Sequence, residues 1–170
     1  MYLGENFSVF GDWFYIYFIE NPGMAFGMQW GGEWGKYALT SFRLVAIAGI
    51  IWYVRKLITE KAPKSFIVTM SLILAGAIGN VIDSLFYGLI FSDSFHKVAK
   101  IFPEQGYAPF MQGKVVDMLY FPLFHWPDWL PFLGGSLFFS PVFNVADSAI
   151  TIGIFAIILF QRKFFYESKK

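Results

Sequence analysis

The stretch SFIVTMSLILAGAIGNVIDSLFYGLI, residues 65–90, holds a single charged side chain, Asp83. A helix needs about 20 predominantly apolar residues to cross the hydrocarbon core of a bilayer. This segment therefore predicts a transmembrane helix. Asn80 and Asp83 lie near its C-terminal end. Amides and carboxylates are costly inside a membrane, so these two residues indicate a functional site.

Two further segments have the length and apolar character of membrane spans, residues 36–58 and residues 140–161. The composition agrees, since 56% of the 170 residues are hydrophobic and 22% are aromatic, whereas only 15% are charged. Soluble proteins carry about 25% charged residues. We therefore predict an all-α transmembrane helical bundle with three spans in this chain.

Basic residues predict the orientation of the bundle. The link 59–64 with the two residues Arg55 and Lys56 before it, and the tail 162–170, hold four Lys or Arg each of the 13 in the chain. Segments rich in Lys and Arg remain in the cytoplasm. Residues 1–35 and 91–139 are then predicted to lie outside, and the active residues to lie near the extracytoplasmic face.

The N-terminal 35 residues do not read as a span. Residues 7–30 are rich in aromatic side chains and are interrupted by turn signals such as Asn21-Pro22-Gly23. We predict a small extracytoplasmic β-rich cradle at the membrane surface. Three tryptophans fit an interfacial aromatic belt, namely Trp13, Trp30 and Trp34. No signal peptide is expected, because Met1 is not followed by a basic and then an apolar region.

Two short segments repeat the spacing Asn-x-x-Asp, Asn80 to Asp83 and Asn144 to Asp147. Residues three apart share a face of a helix, so each pair is expected to point one way. Asp117, in the predicted outer loop, can reach the same depth. Two carboxylates held close in a low dielectric share a proton, which provides one base and one acid. This arrangement is typical of aspartic proteases.

Plainer interpretations of these residues stay open. Asp83 can be an interfacial cap or an architectural residue, and Asp117 alone would be an ordinary loop residue. Arg43 can extend to lipid headgroups or serve the site. The small residues around Gly76 can allow close helix packing or leave room for a ligand.

Several chemistries are not expected from this sequence. The chain has no Cys, so disulfides and a thiol nucleophile are excluded. His96 and His125 are interpreted as polar loop residues far apart in sequence, so no zinc site is expected. We predict no metal, no cofactor and no nucleic-acid partner.

Four motifs together resemble the lipoprotein signal peptidase family, also called signal peptidase II, over almost the whole chain. Asn21-Pro22-Gly23-Met24-Ala25-Phe26-Gly27 is similar to that family's Asn-x-Gly-x-Ala-Phe segment. Gly76 to Asp83 is similar to its Gly-x-x-Gly-Asn-x-x-Asp motif. Gly113 to Asp117 resembles its Val-Val-Asp motif, and Phe143 to Ser148 its Phe-Asn-x-Ala-Asp-Ser motif.

The resemblance implies an intramembrane aspartic endopeptidase of the bacterial cytoplasmic (inner) membrane. Such an enzyme removes the signal peptide of a diacylglyceryl-modified prolipoprotein by cleaving before the lipidated Cys. Asp117 and Asp147 would be catalytic. Substrate-binding or orienting roles fall to six residues, Asn21, Arg43, Gly76, Asn80, Asp83 and Asn144. Membrane lipids are the other expected partners, and we expect a monomer.

This sequence departs from the family pattern at two places. Ser84 follows Asp83 where the family usually has Arg, and Arg43 is a candidate replacement. The family also has four spans, the first with an Asp-Gln pair, whereas three are predicted here. Met1 would then be a misassigned internal start or the boundary of an expressed fragment, or the protein would be naturally shorter than the family. The segment 91–113 looks longer than the family minimum and suggests a lid or a docking surface.

Two other classes of function remain as alternatives. A small transporter or channel subunit would use the Asn and Asp side chains to bind ions or relay protons. It would distribute polar residues through the bilayer depth, whereas here they cluster at one end of two spans. A non-catalytic relative would bind lipopeptide without turnover.

Overall fold

A computed structural model describes residues 1–23 and 32–166. Three long helices account for about half of the described residues, and five strands form two small sheets. In chain order the elements are β1 (Asn6–Phe10), β2 (Phe14–Asn21), α1 (Gly32–Thr59), α2 (Lys64–Ile90), β3 (Val115–Tyr120), β4 (Phe124–His125), β5 (Leu137–Phe138) and α3 (Val145–Tyr166).

The helices correspond to the three apolar segments of the sequence, with one shift at a boundary. α1 and α2 include residues 36–58 and 65–90, whereas α3 begins at Val145, five positions after the start of the predicted span at 140. Pro141 and the β-bridge from Phe143 to Leu119 precede the helix. Because α3 begins at Val145, Asn144 precedes the helix while Asp147 lies in its first turn.

Two helices in the described part are long and apolar enough to cross a membrane by length and composition. They are Trp34–Thr59, with a mean hydropathy of 1.5, and Lys64–Ile90, with a mean hydropathy of 2.0. In α3 the apolar part, Val145–Phe160, is shorter. All three helices expose large apolar side chains, including Val45 at 71%, Val68 at 67% and Leu159 at 72%. Exposed apolar faces of this extent fit contact with lipid.

Glycines in α2 allow α3 to pack closely against it. A Cβ added at Gly76 would collide with the backbone carbonyl of Ala146, and one at Gly79 would lie 3.1 Å from the Ala146 side chain. At the opposite end of the helices, Phe66 stacks on Phe164 with ring centroids 5.0 Å apart. Of the two interpretations of the small residues near Gly76, the structure supports close helix packing.

The main sheet has the order β1-β2-β3 and is antiparallel throughout. Side chains alternate between the faces of a strand, so Asp117 and Leu119 lie on one face of β3 and Tyr120 on the other. Tyr120 contacts the rings of Tyr15 and Tyr17 on β2. The face that carries Asp117 also carries Asn21 of β2 among apolar side chains, and the opposite face carries the three tyrosines.

The segment between α2 and α3 holds three of the five strands, β3, β4 and β5. His125 lies in β4 and pairs with Leu137, so its interpretation as a loop residue was wrong. Trp13 and Trp34 are exposed at 51% and 83%, as interfacial side chains would be. Trp30 and the motif residues 24–27 lie outside the described residues.

Candidate active site

Asp117 is the most deeply buried carboxylate of the candidate site, with 3% of its surface exposed. Asn21 Nδ2 donates to its Oδ2 at 3.1 Å, and Asn144 Nδ2 donates to its Oδ1 at 2.8 Å. Burial raises the pKa of Asp117 from its ordinary 3.8 to about 6. The charges of Asp147 and Asp83 also raise this pKa, whereas the hydrogen bonds from Asn21 and Asn144 lower it. Asp117 therefore keeps its proton to a higher pH than an ordinary aspartate does.

Asp147 lies in the first turn of α3 and forms a reciprocal cap with Asn144. The Asp147 backbone N–H donates to Asn144 Oδ1 at 2.9 Å, and the Asn144 backbone N–H donates to Asp147 Oδ2 at 3.2 Å. This is the pattern of a capping box, which satisfies backbone donors at a helix N-terminus. Asn144 is thus the residue that caps α3, and the expectation that it shares a helical face with Asp147 was wrong.

The side-chain amide of Asn144 connects the two carboxylates. Its oxygen is already used by the Asp147 N–H, so its nitrogen faces away from that cap. The nitrogen donates to Asp117 Oδ1 and to Asn80 Oδ1, the latter at 2.9 Å. Asn80 Nδ2 in turn donates to Asp147 Oδ1 at 2.7 Å. One continuous network therefore joins Asp117, Asn144, Asn80 and Asp147.

A short β-bridge brings the start of α3 to the sheet. Leu119 N donates to Phe143 O at 2.7 Å, and Phe143 N donates to Leu119 O at 3.0 Å. Phe143 directly precedes Asn144, and Leu119 lies two residues after Asp117. The bridge consequently holds the Asn144 side chain beside the Asp117 carboxylate.

Asp83 contacts the site through the backbone of β3. Its Oδ2 accepts the Val116 N–H at 3.2 Å. Val116 is the residue before Asp117, so the bond ties the strand to the end of α2. The two Asn-x-x-Asp segments therefore differ, because Asp83 anchors a strand while Asp147 belongs to the amide network.

Arg43 reaches across from α1 to the same end of the bundle. Its Nη2 donates to Gly23 O at 2.8 Å, and its Nη1 donates to Ser84 Oγ at 3.2 Å. Ser84 is 1% exposed and donates to Asn80 O at 3.0 Å. The residue that departs from the family pattern is therefore a direct partner of Arg43.

A cavity of about 280 Å³ lies between the three helices, and Arg43, Asn80 and Asp147 line it. The remaining lining residues are Phe42, Ala46, Ile47, Ala77 and Ile150. The polar side chains thus line one part of a cavity that is otherwise apolar and large enough for a few side chains. Gly76 lies against α3, so it contributes to the site through helix packing.

Three residues that contact this site were missed as site residues in the sequence. Ser84 was noted only as a departure from the pattern, and its neighbours in sequence did not signal its burial. Glu20 and Lys114 form an ion pair at 2.7 Å beside Asn21 and β3. Lys114 falls within the Gly113 to Asp117 motif, whereas no local signal pointed to Glu20.

The arrangement supports acid–base chemistry at a carbonyl. Two carboxylates lie in one hydrogen-bonded network, and burial raises the pKa of Asp117. Such a pair provides a base for a water molecule and an acid for the carbonyl oxygen or the leaving group.

A family model described as signal peptidase (SPase) II matches residues 1–163 of the chain. A lipoprotein signal peptidase from Porphyromonas gingivalis is 47% identical over 165 residues, which cover 94% of this chain and 71% of the relative. One from Amoebophilus asiaticus is 40% identical, over 91% of this chain and 64% of the relative.

A solved bacterial membrane enzyme structure has the same fold, with a TM-score of 0.58 and 24% identity over 95% of this chain and 77% of that one. The fold is therefore that of a helical membrane protein with small β-sheets. From the family match and the identity to the two relatives, we conclude that the chain belongs to the signal peptidase II family, the aspartic peptidases that remove signal peptides from prolipoproteins.

Proposed function

We propose that the chain cleaves diacylglyceryl-modified prolipoproteins directly before the lipidated Cys, with Asp117 and Asp147 as the catalytic pair. The observation that carries this proposal is the single amide of Asn144, which binds Asp117 through its side chain and Asp147 through its cap. A residue that contacts both carboxylates fixes their relative position, which is the first requirement of a two-carboxylate mechanism.

The environments of the two carboxylates suggest their roles. Asp117 has its pKa raised to about 6 by burial, so we assign to it the proton of the singly protonated pair that starts the reaction. Asp147 accepts hydrogen bonds from Asn80 and from the Asn144 backbone N–H, and it lines the cavity between the helices, where an attacking water can reach it. Asp147 therefore takes the proton of the attacking water, and Asp117 gives its proton to the carbonyl oxygen.

Collapse of the tetrahedral intermediate then breaks the C–N bond. The carbonyl oxygen returns its proton to Asp117, and Asp147 gives the proton taken from water to the departing amine. Both carboxylates end the cycle in their starting states. Asp117 and Asp147 are coupled, so a titration of the free enzyme reports apparent pKa values that belong to the pair and not to either residue alone.

Asn21, Asn80 and Arg43 serve to position the pair and the substrate. Asn21 binds Asp117, and Asn80 binds Asp147. Arg43 lines the cavity beside Asp147 and is held by Ser84 and Gly23. Its guanidinium is suited to bind a carbonyl or phosphate oxygen of the lipidated substrate.

The membrane arrangement that we propose has three spans in this chain. The apolar part of α3, Val145–Phe160, is about 24 Å long and ends at a kink, and a bilayer core of about 30 Å can thin locally around a shorter span. Asp147 at its start, Asn80 and Asp83 near the end of α2, and the sheet then lie at one level. The basic link and tail support an extracytoplasmic position for that level in the inner membrane.

The test is cleavage of a purified diacylglyceryl-modified prolipoprotein by the chain in liposomes, followed by a gel shift. We expect the wild type to release the signal peptide, and Asp117→Asn and Asp147→Asn to leave the precursor uncut. The control is Asp93→Asn, since Asp93 is exposed and paired only loosely with Lys97 in the segment after α2. Full activity of both catalytic variants would contradict the assignment. Proton flux or lipopeptide binding without cleavage by the wild type would favour the alternative classes of function.

A further inference from the structure

The segment 91–113, which precedes β3, is folded back over the end of α2. Backbone N–H groups of Ala108, Met111 and Gly113 donate to the carbonyls of Gly88, Leu85 and Ser84 at 2.9 to 3.1 Å. A helix end leaves its last four carbonyls without intrahelical partners, and this segment supplies donors to two of them, since Phe102 N–H also donates to Ile90 O. It then runs directly into β3, so its position determines where the strand of Asp117 begins.

A buried carboxylate fastens this segment to the sheet. Glu20 of β2 has 8% of its side chain exposed, and its Oε2 accepts Lys114 Nζ at 2.7 Å. The Ser94 hydroxyl donates to Glu20 Oε1, and Ser94 is 1% exposed. The Lys114 N–H donates to the Tyr107 hydroxyl at 2.8 Å. These four residues, Glu20, Ser94, Tyr107 and Lys114, form the Glu20 cluster.

The Glu20 cluster lies next to the groups that hold Asp117. Glu20 directly precedes Asn21, whose Nδ2 binds Asp117. Lys114 directly precedes Val115, the partner of Asn21 in the β2–β3 register, and Glu20 itself pairs with Val116. Glu20 and Asn21 are adjacent on one strand and point to opposite faces. The ion pair therefore fixes the end of β2 from one face while Asn21 reaches Asp117 from the other.

We propose that the Glu20–Lys114 ion pair, together with the Ser94 hydroxyl that donates to Glu20, is a positioning element. It holds Asn21 within hydrogen-bonding distance of Asp117. The inference rests on the proposed function. Removal of Lys114 leaves the buried Glu20 carboxylate without its ionic partner, and removal of the Glu20 charge releases Lys114, whose side chain is 38% exposed, toward water. In either case the local backbone is expected to relax. A shift of about 1 Å in a positioning group can cost about 100-fold in rate.

The test compares kcat, KM and the pH profile of kcat/KM for wild type, Glu20→Gln, Lys114→Met and the charge-exchanged double variant. For the single variants we expect kcat to fall about tenfold with KM changed less than about twofold. The double variant should recover most of the loss. Lys97→Met is the control, because the Asp93–Lys97 pair is in the same segment but exposed, and it should leave kcat unchanged.

The pH profile separates positioning from a purely structural role. The charged groups that face Asp117 in the described part are Asp147 of α3 and Asp83 of α2, and neither changes in these variants. Loss of the Asn21 hydrogen bond removes an interaction that lowers the pKa of Asp117, so the alkaline limb should move to higher pH. Asn21→Ala should give the same shift, and Glu20→Gln should add nothing to it.

Unchanged kcat and an unchanged alkaline limb in Glu20→Gln and Lys114→Met would overturn the inference, as would a lower Tm without any shift of the limb. If Glu20→Gln does not fold, Ser94→Ala removes one bond to Glu20 and carries the same test with a smaller expected shift. A wild type without cleavage would instead contradict the proposed function, so the two failures are distinguishable.

Discussion

The two Asn-x-x-Asp segments look alike in sequence but differ in their place on a helix. Asn80 and Asp83 lie inside α2, so their side chains leave a continuous helix and reach outward to Asp147 and to the Val116 N–H. Asn144 and Asp147 straddle the start of α3 and bind each other's backbone. The same spacing therefore produces a bridging pair in one place and a capping box in the other.

The comparison shows that the position of a helix end determines which side-chain atoms are used by the cap and which remain available to the active site. At the start of α3 the cap uses the Asn144 oxygen, which turns the Asn144 nitrogen toward Asp117. Inside α2 the backbone donors are already satisfied, so Asn80 and Asp83 are free to bind other elements. The second segment thus supplies a carboxylate of the catalytic pair that we propose, and the first supports it.

The largest expected difference between the segments is in catalysis. Asp147→Asn should lower kcat by about 1,000-fold or more, because it removes the proposed base. Asp83→Asn should lower kcat only about tenfold, since an amide oxygen can still accept the Val116 N–H. Single-turnover cleavage of a lipidated prolipoprotein measures both. Equal losses of kcat in the two variants would contradict the distinction between Asp147 as a base and Asp83 as an anchor of β3.

Asn144 has two functions, the hydrogen bond to Asp117 and the cap of α3, and two substitutions can separate them. Asn144→Ser keeps a good cap but cannot reach Asp117, so kcat should fall about 100-fold with Tm nearly unchanged. Asn144→Ala should lower kcat similarly and also cost about 1 kcal/mol of stability, because the cap is lost. Thermal unfolding in detergent and the cleavage rate test this. A serine variant with full activity would show that the bridge to Asp117 is not needed.

Close packing of α2 on α3 is what brings the two segments together. Gly76→Ala should cost about 1–3 kcal/mol of stability and lower activity, because the added Cβ collides with the Ala146 backbone. Gly49→Ala is the matched control, since no atom lies within 4 Å of its added Cβ. The control should be neutral or more stable by up to about 1 kcal/mol. Similar Tm values for both variants would contradict this account of the helix contact.

The smallest expected effect is a shift of the pH dependence. The pKa of Asp117 is raised to about 6, so kcat/KM should fall as pH rises through that value and the proton is lost. The raised pKa also stabilises the folded state fully below 3.8, its ordinary value, and this contribution disappears as pH rises through about 6.

The pH profile of kcat/KM for the wild type, and the pH profiles of Tm for the wild type and Asp117→Asn, provide the measurement. The asparagine variant should lack the decrease in Tm over that range that belongs to Asp117. A decrease of the same size in both proteins would assign the titration to another group.

The sequence predicted much of the site through its polar residues in apolar surroundings. Asn80, Asp117, Asn144 and Asp147 do meet in one network. The position of Asn144 could not be predicted, because a period of three or four residues does not reveal where a helix begins. Asp83 was assigned to the site from its spacing, but its bond to a backbone group of β3 depends on a contact between residues 33 positions apart in the chain.

By itself, the sequence determined the apolar helices, the aromatic surface segment and the identity of the polar side chains, because each depends on composition and short-range periodicity. Only the tertiary structure decided that Arg43 binds Ser84 and Gly23, that Glu20 pairs with Lys114, and that Asn144 caps α3 while binding Asp117. These contacts join elements far apart in the chain. Their partners are chosen by helix packing and sheet register, which no local stretch of sequence encodes.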